Sequence, residues 1–165
     1  DLTRRILPAM RARGRGQIVQ CSSVLGFISP PWRGAYNASK HALEALSDAM
    51  RHELAIIAPG IRVSIIEPGP IDTRFLEHAI AAFRANVPLA GSAYGAVYET
   101  RLAAMERGGK QTWKLPPEAV ARKLVHAVES ARPKVRYFVT VPTYLAAAGK
   151  RLLPRGLSDA LVRRS

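Results

Sequence analysis

Short apolar runs alternate with helical segments along the chain, and this alternation constrains the fold more than any other feature. The runs are rich in Ile, Val, Phe and Tyr, as strands are, and they are residues 17–23, 61–67 and 137–141. The segments with helical periodicity are residues 2–13, 36–57 and 117–131. Strands and helices that alternate in this way build a parallel sheet with helices on both faces. The sequence therefore predicts an α/β fold with a doubly wound parallel sheet.

Two helical patterns also predict which side chains form an apolar stripe. In the long helix the stripe consists of Leu43, Leu46, Met50, Leu54 and Ile57, at steps of 3, 4, 4 and 3. In the later helix the side chains expected to point inward are Val120, Leu124, Val125 and Val128. The apolar pattern of residues 71–115 is less regular, and it predicts one or two short helices.

The charge of the chain is large but unevenly placed. The 165 residues carry 25 Lys and Arg against 12 Asp and Glu, a formal net charge of +13. Residues 1–16 hold five Arg against one Asp, and residues 132–165 hold eight basic residues against one Asp. The region between them is nearly balanced and offers no continuous basic groove, which argues against nucleic-acid binding.

Cysteine content and hydropathy restrict the setting of the protein. Cys21 is the only cysteine, which excludes an intramolecular disulfide and fits a reducing compartment, so we expect a cytoplasmic protein. The longest uncharged run, residues 16–32, is too short and too polar to span a bilayer. The four histidines show no metal-ligand spacing, so we expect no metal.

Polar residues gather where the first two predicted strands end. Ser22 and Ser23 follow the first strand, and residues 68–73 (PGPIDT) follow the second. In open parallel sheets, ligands bind beyond the carboxyl ends of the strands. Between these segments, Tyr36 and Lys40 lie one helical turn apart on the same face. A phenol has a reference pKa of about 10, and a nearby ammonium favours its phenolate form. The pair is therefore suited to exchanging one proton at neutral pH.

These motifs together resemble the classical short-chain dehydrogenases/reductases. The residues that carry the resemblance are Ser22-Ser23, Gly26, Tyr36-Asn37-Ala38-Ser39-Lys40, Ala42-Leu43 and Pro68-Gly69-x-x-x-Thr73. The resemblance covers residues 1 to about 75 closely. The strings SSVLGFISPPWRGAYNASKHALEALSDAMRHEL and VSIIEPGPIDTRF are most similar to bacterial NADP-dependent aldehyde reductases, with 17β-hydroxysteroid and retinol dehydrogenases as wider relatives.

The resemblance implies a role for each motif residue. Tyr36 would donate a proton in reduction and accept one in oxidation, Lys40 would favour the phenolate and hold the nicotinamide ribose, and Ser23 would position the substrate oxygen. The residues implied to contact the nicotinamide end are Pro68, Gly69, Ile71 and Thr73. The hydride must come from a cofactor, NADP or alternatively NAD. The implied reaction is hydride transfer to or from an apolar aldehyde, ketone or alcohol.

One family element is absent from this sequence. Such a fold opens with a strand and a Gly-rich phosphate turn, whereas Gly14-x-Gly16 precedes a strand. We therefore expect residues 1–165 to be the C-terminal portion of one Rossmann-like domain whose dinucleotide-binding half is missing. Within it, residues 74–115 would form a substrate lid and residues 142–165 a basic tail. Alone, this chain would be inactive and fold poorly. The alternative is a non-catalytic fragment or pseudoenzyme that serves as an association module.

Partners follow from the same reasoning. In the family the helices at 1–13 and 36–57 commonly pack against another subunit, which implies a homodimer or tetramer. The basic tail alternates cations with apolar residues: Lys150, Arg151, Arg155, Arg163 and Arg164 with Leu152, Leu153, Leu157, Leu161 and Val162. This pattern fits either a weak membrane-surface contact or a solvated terminal helix. Glu67 and Asp72 are expected to be structural, and Cys21 a small core residue.

Overall fold

Three parallel strands form the sheet in the computed structural model, which describes residues 1–107 and 113–163. They are β1 (Gly16–Cys21), β2 (Ile61–Glu67) and β3 (Arg136–Phe138), in the spatial order β1-β2-β3. Both pairings are parallel, with Gly16 opposite Ile61 and Ile65 opposite Arg136. The predicted α/β class is confirmed. The third strand ends earlier than predicted because Val141 already begins a helix.

Helices connect and cover these strands. Their bounds are α1 (Leu2–Ala12), α2 (Gly34–Ile57), α3 (Phe75–Asn86), α4 (Gly95–Glu106), α5 (Glu118–Glu129), α6 (Val141–Leu152) and α7 (Arg155–Arg163). A short 3₁₀ helix, Val24–Gly26, follows β1. Helices α3 and α4 occupy the region in which the sequence predicts one or two short helices. Residues 108–112 of the predicted lid, and Arg164 of the basic tail, lie outside the described residues.

Two apolar clusters form the core. One contains Met10 of α1, Leu54 of α2 and the strand residues Ile18, Ile61 and Val63. The other contains Ala119 and Ala127 of α5 with Ile66, Tyr137 and Val139. Because neighbouring strand residues point to opposite faces, Val63 and Ile66 belong to different faces of β2. Helices α1 and α2 therefore lie on one face of the sheet and α5 on the other.

The apolar stripe predicted for the long helix is only partly buried. Leu54 is 2% exposed, but Leu46 is 69% exposed. The buried face of α2 instead includes Asn37, Glu44 and Ser47. This face is polar because part of it meets a cluster of charged groups described below.

The inward face predicted for the later helix is wrong for Leu124, Val125 and Val128, which are exposed. Helix α5 contacts the sheet through Ala119 and Ala127, which are both buried. Small side chains let the helix approach the sheet closely, so the larger ones on the remaining face point away from it.

Within the described part of the chain, β1 is an edge strand that pairs only with β2. Its second edge presents unpaired backbone groups, and an open edge is a place where another strand can pair.

Candidate active site

The ends of β1 and β2 lie side by side. Parallel pairing continues past both strands, because the Ser22 amide donates to the Ile66 carbonyl at 2.8 Å and the Val24 amide donates to the Pro68 carbonyl at 2.8 Å. The serine pair and the Pro-Gly segment are therefore neighbours at the carboxyl edge of the sheet, where ligands of such sheets bind.

Lys40 joins this edge to the start of α2. Its ammonium donates a hydrogen bond to the Cys21 carbonyl at 3.0 Å, at the last residue of β1. The same nitrogen lies 5.7 Å from the centre of the Tyr36 ring. The helix begins at Gly34, so both residues belong to its first two turns. The structure thus brings Tyr36 and Lys40 together beside the end of β1.

The two serines differ in their surroundings. Ser22 is buried, and its hydroxyl finds no hydrogen-bond partner among the described residues. Ser23 is half-buried and caps the 3₁₀ helix, its Oγ accepting from the Leu25 amide at 3.2 Å. A hydroxyl that accepts one hydrogen bond still has its own proton to donate. Ser23 is therefore the better placed of the two to contact an oxygen outside the core.

Asn37 anchors the start of α2; the sequence placed it in the family motif but implied no role for it. Its side-chain amide is buried and donates to the Pro30 carbonyl at 3.0 Å. This bond ties the loop after β1 to the helix that carries Tyr36.

Phe75, the first residue of α3 in the predicted lid segment, contacts Tyr36, the candidate proton donor. The rings of Phe75 and Tyr36 have centroids 5.7 Å apart, and Phe75 is largely exposed. Thr73 sets the start of this helix by accepting a hydrogen bond from the Phe75 amide at 3.3 Å. Other aromatic residues of the segment pack on each other: Phe83 and Tyr94 both contact Tyr98. The contact of Phe83 with Tyr98 holds α3 against α4, whereas the contact of Phe75 is with Tyr36 at the site.

The segment between β2 and α3 is held by its neighbours. A Cβ on Gly69 would collide with the hydroxyl of Thr140 and lie 2.7 Å from that of Thr143, so packing requires glycine there. Ile71 forms an isolated parallel bridge with Leu115. These contacts hold the backbone at Gly69 and Ile71. The family resemblance implies that both residues, with Pro68 and Thr73, contact the nicotinamide end of the cofactor.

A cluster of four charged groups lies directly behind this edge. Arg136 of β3 forms ion pairs with Glu44 and Asp48 of α2 and with Glu67 at the end of β2. Glu67 is fully buried. The sequence-based expectation that Glu67 is structural agrees with this position. The cluster itself was missed, because its members are far apart in the chain.

Burial and charge compete within this cluster. Burial, followed by the charge of Glu44, raises the pKa of Glu67 to about 7, while Arg136 lowers it. Burial disfavours the charged form of Arg136, but the hydrogen bond that Arg136 donates to Glu44 and the three carboxylate charges outweigh it and raise the Arg136 pKa. Arg51 also pairs with Asp48, at 3.3 Å, so two arginines and three acids meet in this region.

Among residues 1–107 and 113–163, no group of three or more His, Cys, Asp or Glu side chains is placed to hold a metal ion. In the same described residues, no helix is both long and apolar enough to cross a bilayer. Cys21 is exposed at the open edge of β1, so the expectation of a core position for it is wrong.

Comparison with known proteins assigns the family. A family model described as short chain dehydrogenase matches residues 1–82. The chain is 44% identical over 163 residues to the uncharacterized oxidoreductase YbbO of Escherichia coli K12, covering 99% of this chain and 54% of that protein. It is 35% identical to an NADPH-dependent 3-dehydrocapnine reductase of Ornithobacterium rhinotracheale, covering 91% of this chain and 50% of that protein.

One of the relatives is a human protein. Retinol dehydrogenase 16 is 33% identical over 172 residues, covering 98% of this chain and 52% of that protein. The expectation of retinol dehydrogenases among the relatives is thus confirmed. The chain spans about half the length of the curated relatives it matches.

Solved structures agree on the fold. A short chain dehydrogenase/reductase from Burkholderia phymatum in complex with NAD superposes with a TM-score of 0.68 at 27% identity, over 98% of this chain and 54% of that one. One from Burkholderia cenocepacia in complex with NADP has a TM-score of 0.65 at 21% identity, over 97% and 54% respectively. From the sheet, the residues at its carboxyl edge and these relatives, we conclude that the chain belongs to the short-chain dehydrogenase/reductase family.

Proposed function

We propose that this chain carries the proton-transfer residues of an oxidoreductase that interconverts the carbonyl and alcohol forms of an apolar substrate. The observation that carries the proposal is the position of the Lys40 ammonium between the Cys21 carbonyl and the Tyr36 ring. A cation held beside a phenol stabilises the phenolate, which is the form that remains after the phenol gives up its proton. Ser23 lies two residues beyond Cys21 on the same strand end.

The proton path follows from these side chains. In reduction, the Tyr36 hydroxyl gives its proton to the carbonyl oxygen of the substrate, and in oxidation the phenolate takes the proton of the alcohol. Ser23 donates a hydrogen bond to the same oxygen and so orients it. Lys40 stabilises the negative charge on the tyrosine oxygen while the proton is away.

The described residues fit the nicotinamide end of a dinucleotide. An ammonium has three N–H donors, and the Cys21 carbonyl accepts one of them, which leaves donors on Lys40 for ribose hydroxyls. Tyr36 would share this ribose contact, and Pro68, Gly69, Ile71 and Thr73 would form the wall beside the nicotinamide ring. When bound, NADP(H) supplies or removes the hydride, which no side chain can do. The described residues contain no Gly-rich turn between a strand and a helix of the kind that holds a pyrophosphate.

Two features support a preference for NADP and an apolar substrate. One relative is named an NADPH-dependent reductase. One structural neighbour was solved with NADP and another with NAD. The exposed ring of Phe75 next to Tyr36 offers an apolar surface at the reacting centre. Together with the sequence strings described above, this favours an aldehyde-reductase type of activity.

The test replaces Tyr36 with Phe in the natural protein that carries this chain. We expect turnover of NADPH with a panel of apolar aldehydes to fall by roughly 10²- to 10⁴-fold, the range that a positioned acid–base group supplies. Binding of NADPH, followed by its fluorescence, should change little because the ring remains. Tyr144→Phe, at an exposed ring on α6 outside the predicted lid, is the matched control and should keep its turnover. Equal turnover in both variants would refute the assigned proton donor.

A second candidate is a non-catalytic association module, and exposed apolar side chains favour it. Leu2 of α1 and Leu46, Ile56 and Ile57 of α2 are exposed on helices that the family uses for subunit contacts. The same surface supports a homodimer or tetramer of an active enzyme. Absence of NADPH binding and of turnover in the unmodified protein, with a stable dimer in solution, would favour the module over the enzyme.

A further inference from the structure

Helix α6 turns its apolar side to solvent. Val141, Leu145 and Leu152 are 46%, 65% and 78% exposed, and their spacing places them on one stripe of the helix. The residue that α6 buries is Thr143, whose hydroxyl pairs with that of Thr140. An ordinary surface helix buries its apolar stripe, so this helix has the opposite arrangement.

Helix α7 continues the exposed apolar surface. Leu157 and Leu161 lie one turn apart and are each about half exposed, as is the Tyr144 ring of α6. We call these residues the tail surface: Val141, Tyr144, Leu145, Leu152, Leu157 and Leu161. Large apolar side chains exposed on two helices that contact each other indicate an interaction site.

The charge of the same two helices selects the kind of partner. They carry Lys150, Arg151, Arg155 and Arg163 against a single acid, Asp159. The Lys150 ammonium donates a hydrogen bond to the Phe27 carbonyl at 2.7 Å, so the three arginines are the cations offered to a partner. A symmetric contact with a second copy would bring two such cationic helix pairs together, and like charges across an interface oppose binding. An anionic surface with an apolar interior, by contrast, satisfies both the cations and the leucines.

We propose that the tail surface binds the face of an anionic phospholipid membrane, with α6 and α7 lying on the bilayer. Amphipathic helices that bind in this way place leucines and aromatic rings at the acyl boundary and Lys or Arg among the head groups. The tyrosine ring suits this position because it has an apolar body and a polar tip. Like the other helices of the described residues, α6 and α7 are not long and apolar enough to cross a bilayer. The inference is independent of the proposed reaction, since it uses none of the candidate active-site residues.

The experiment measures cosedimentation of the natural protein with vesicles. Vesicles of phosphatidylglycerol mixed with phosphatidylcholine are compared with vesicles of phosphatidylcholine alone, each at low and at high salt. One variant combines Leu145→Ser with Leu152→Ser, and a second combines Arg151→Glu with Arg155→Glu. The control is Ile56→Ser, an equally exposed apolar residue on α2.

We expect binding to the anionic vesicles that weakens with salt, and a loss of about tenfold in each double variant but not in the control. Circular dichroism and size-exclusion chromatography accompany every variant. Three results would overturn the proposal: no binding to anionic vesicles, binding that both double variants retain, or equal binding to the zwitterionic vesicles. A leucine variant that loses a dimer in solution while the parent ignores vesicles would assign the tail surface to a second copy instead.

Discussion

The carbonyl oxygen of Cys21 accepts a hydrogen bond from the ammonium of Lys40 at 3.0 Å. This contact joins the last residue of β1 to the second turn of α2, and it holds the ammonium 5.7 Å from the centre of the Tyr36 ring. The Lys40 ammonium therefore places a positive charge beside the phenol of Tyr36. It also links the end of β1 to the start of α2.

Lys40→Met removes that charge while keeping most of the side-chain volume. If the proposed function is correct, we expect turnover of NADPH to fall by about 10²-fold or more, because the phenolate loses its stabilising cation. The initial rate at saturating cofactor and aldehyde measures this. Lys123→Met on α5 is the matched control, and a rate in the Lys40 variant equal to that control would contradict the role.

Glu67 predicts a pH dependence of stability. Burial and the charge of Glu44 raise its pKa from 4.5 to about 7 in the folded protein. Between these two pH values the folded protein holds a proton that the unfolded chain has lost. The stability that this group contributes is therefore complete below pH about 4.5 and is lost as the pH rises through 7.

The Glu67→Gln variant stays neutral and lacks this dependence. We expect the unfolding free energy of the parent to fall relative to the variant by at most about 1.4 kcal/mol per pH unit within that window. Urea unfolding of the natural protein at a series of pH values measures the difference. Glu77→Gln, at an exposed acid whose pKa Arg74 lowers, should show a constant difference across the same window. A constant difference for Glu67→Gln as well would disprove the prediction.

Arg136→Met leaves three carboxylates without their shared cation. Glu44 and Glu67 are buried, and removing the partner of a buried charge costs about 3–5 kcal/mol. We expect a loss of that size in urea unfolding at neutral pH. The exposed pair of Arg84 and Glu106 is the control, since Arg84→Met should cost about 1 kcal/mol or less. Equal losses would mean that the buried cluster adds nothing.

Gly69→Ala tests the packing behind the Pro-Gly segment. The added methyl group would meet the buried hydroxyls of Thr140 and Thr143, and overpacking of this kind costs about 1–3 kcal/mol. Gly34→Ala is the control, because a Cβ there meets nothing within 4 Å. We expect a lower melting temperature only for Gly69→Ala. An unchanged melting temperature would show that the segment can shift without cost.

Residues 1–165 expressed alone test the open edge of β1. We expect weak protection in hydrogen exchange of the β1 amides that face away from β2, and no turnover of NADPH, because no strand pairs with that side of β1 in the described residues. A cooperative, soluble fold with turnover would contradict the expectation.

Local patterns were enough for the strands, the long helix and the Tyr36–Lys40 pair. Each depends on residues that are close in the chain, so periodicity and one-turn spacing reveal it. The buried face of α2 shows the limit of this reasoning, because apolar spacing alone favoured Leu46 while the fold buried Glu44 and Ser47. Glu44 is buried because Arg136, 92 positions away in the chain, pairs with it.

The amino-acid sequence by itself determined the α/β class, the family motifs and the candidate acid–base pair, because these follow from neighbours along the chain. Only the tertiary structure showed that Arg136 binds Glu44 and Glu67, which lie 92 and 69 positions away. It also showed that α6 buries a threonine and exposes its leucines. Such contacts are set by how strands and helices pack in space, and periodicity cannot say which face of a helix meets the sheet.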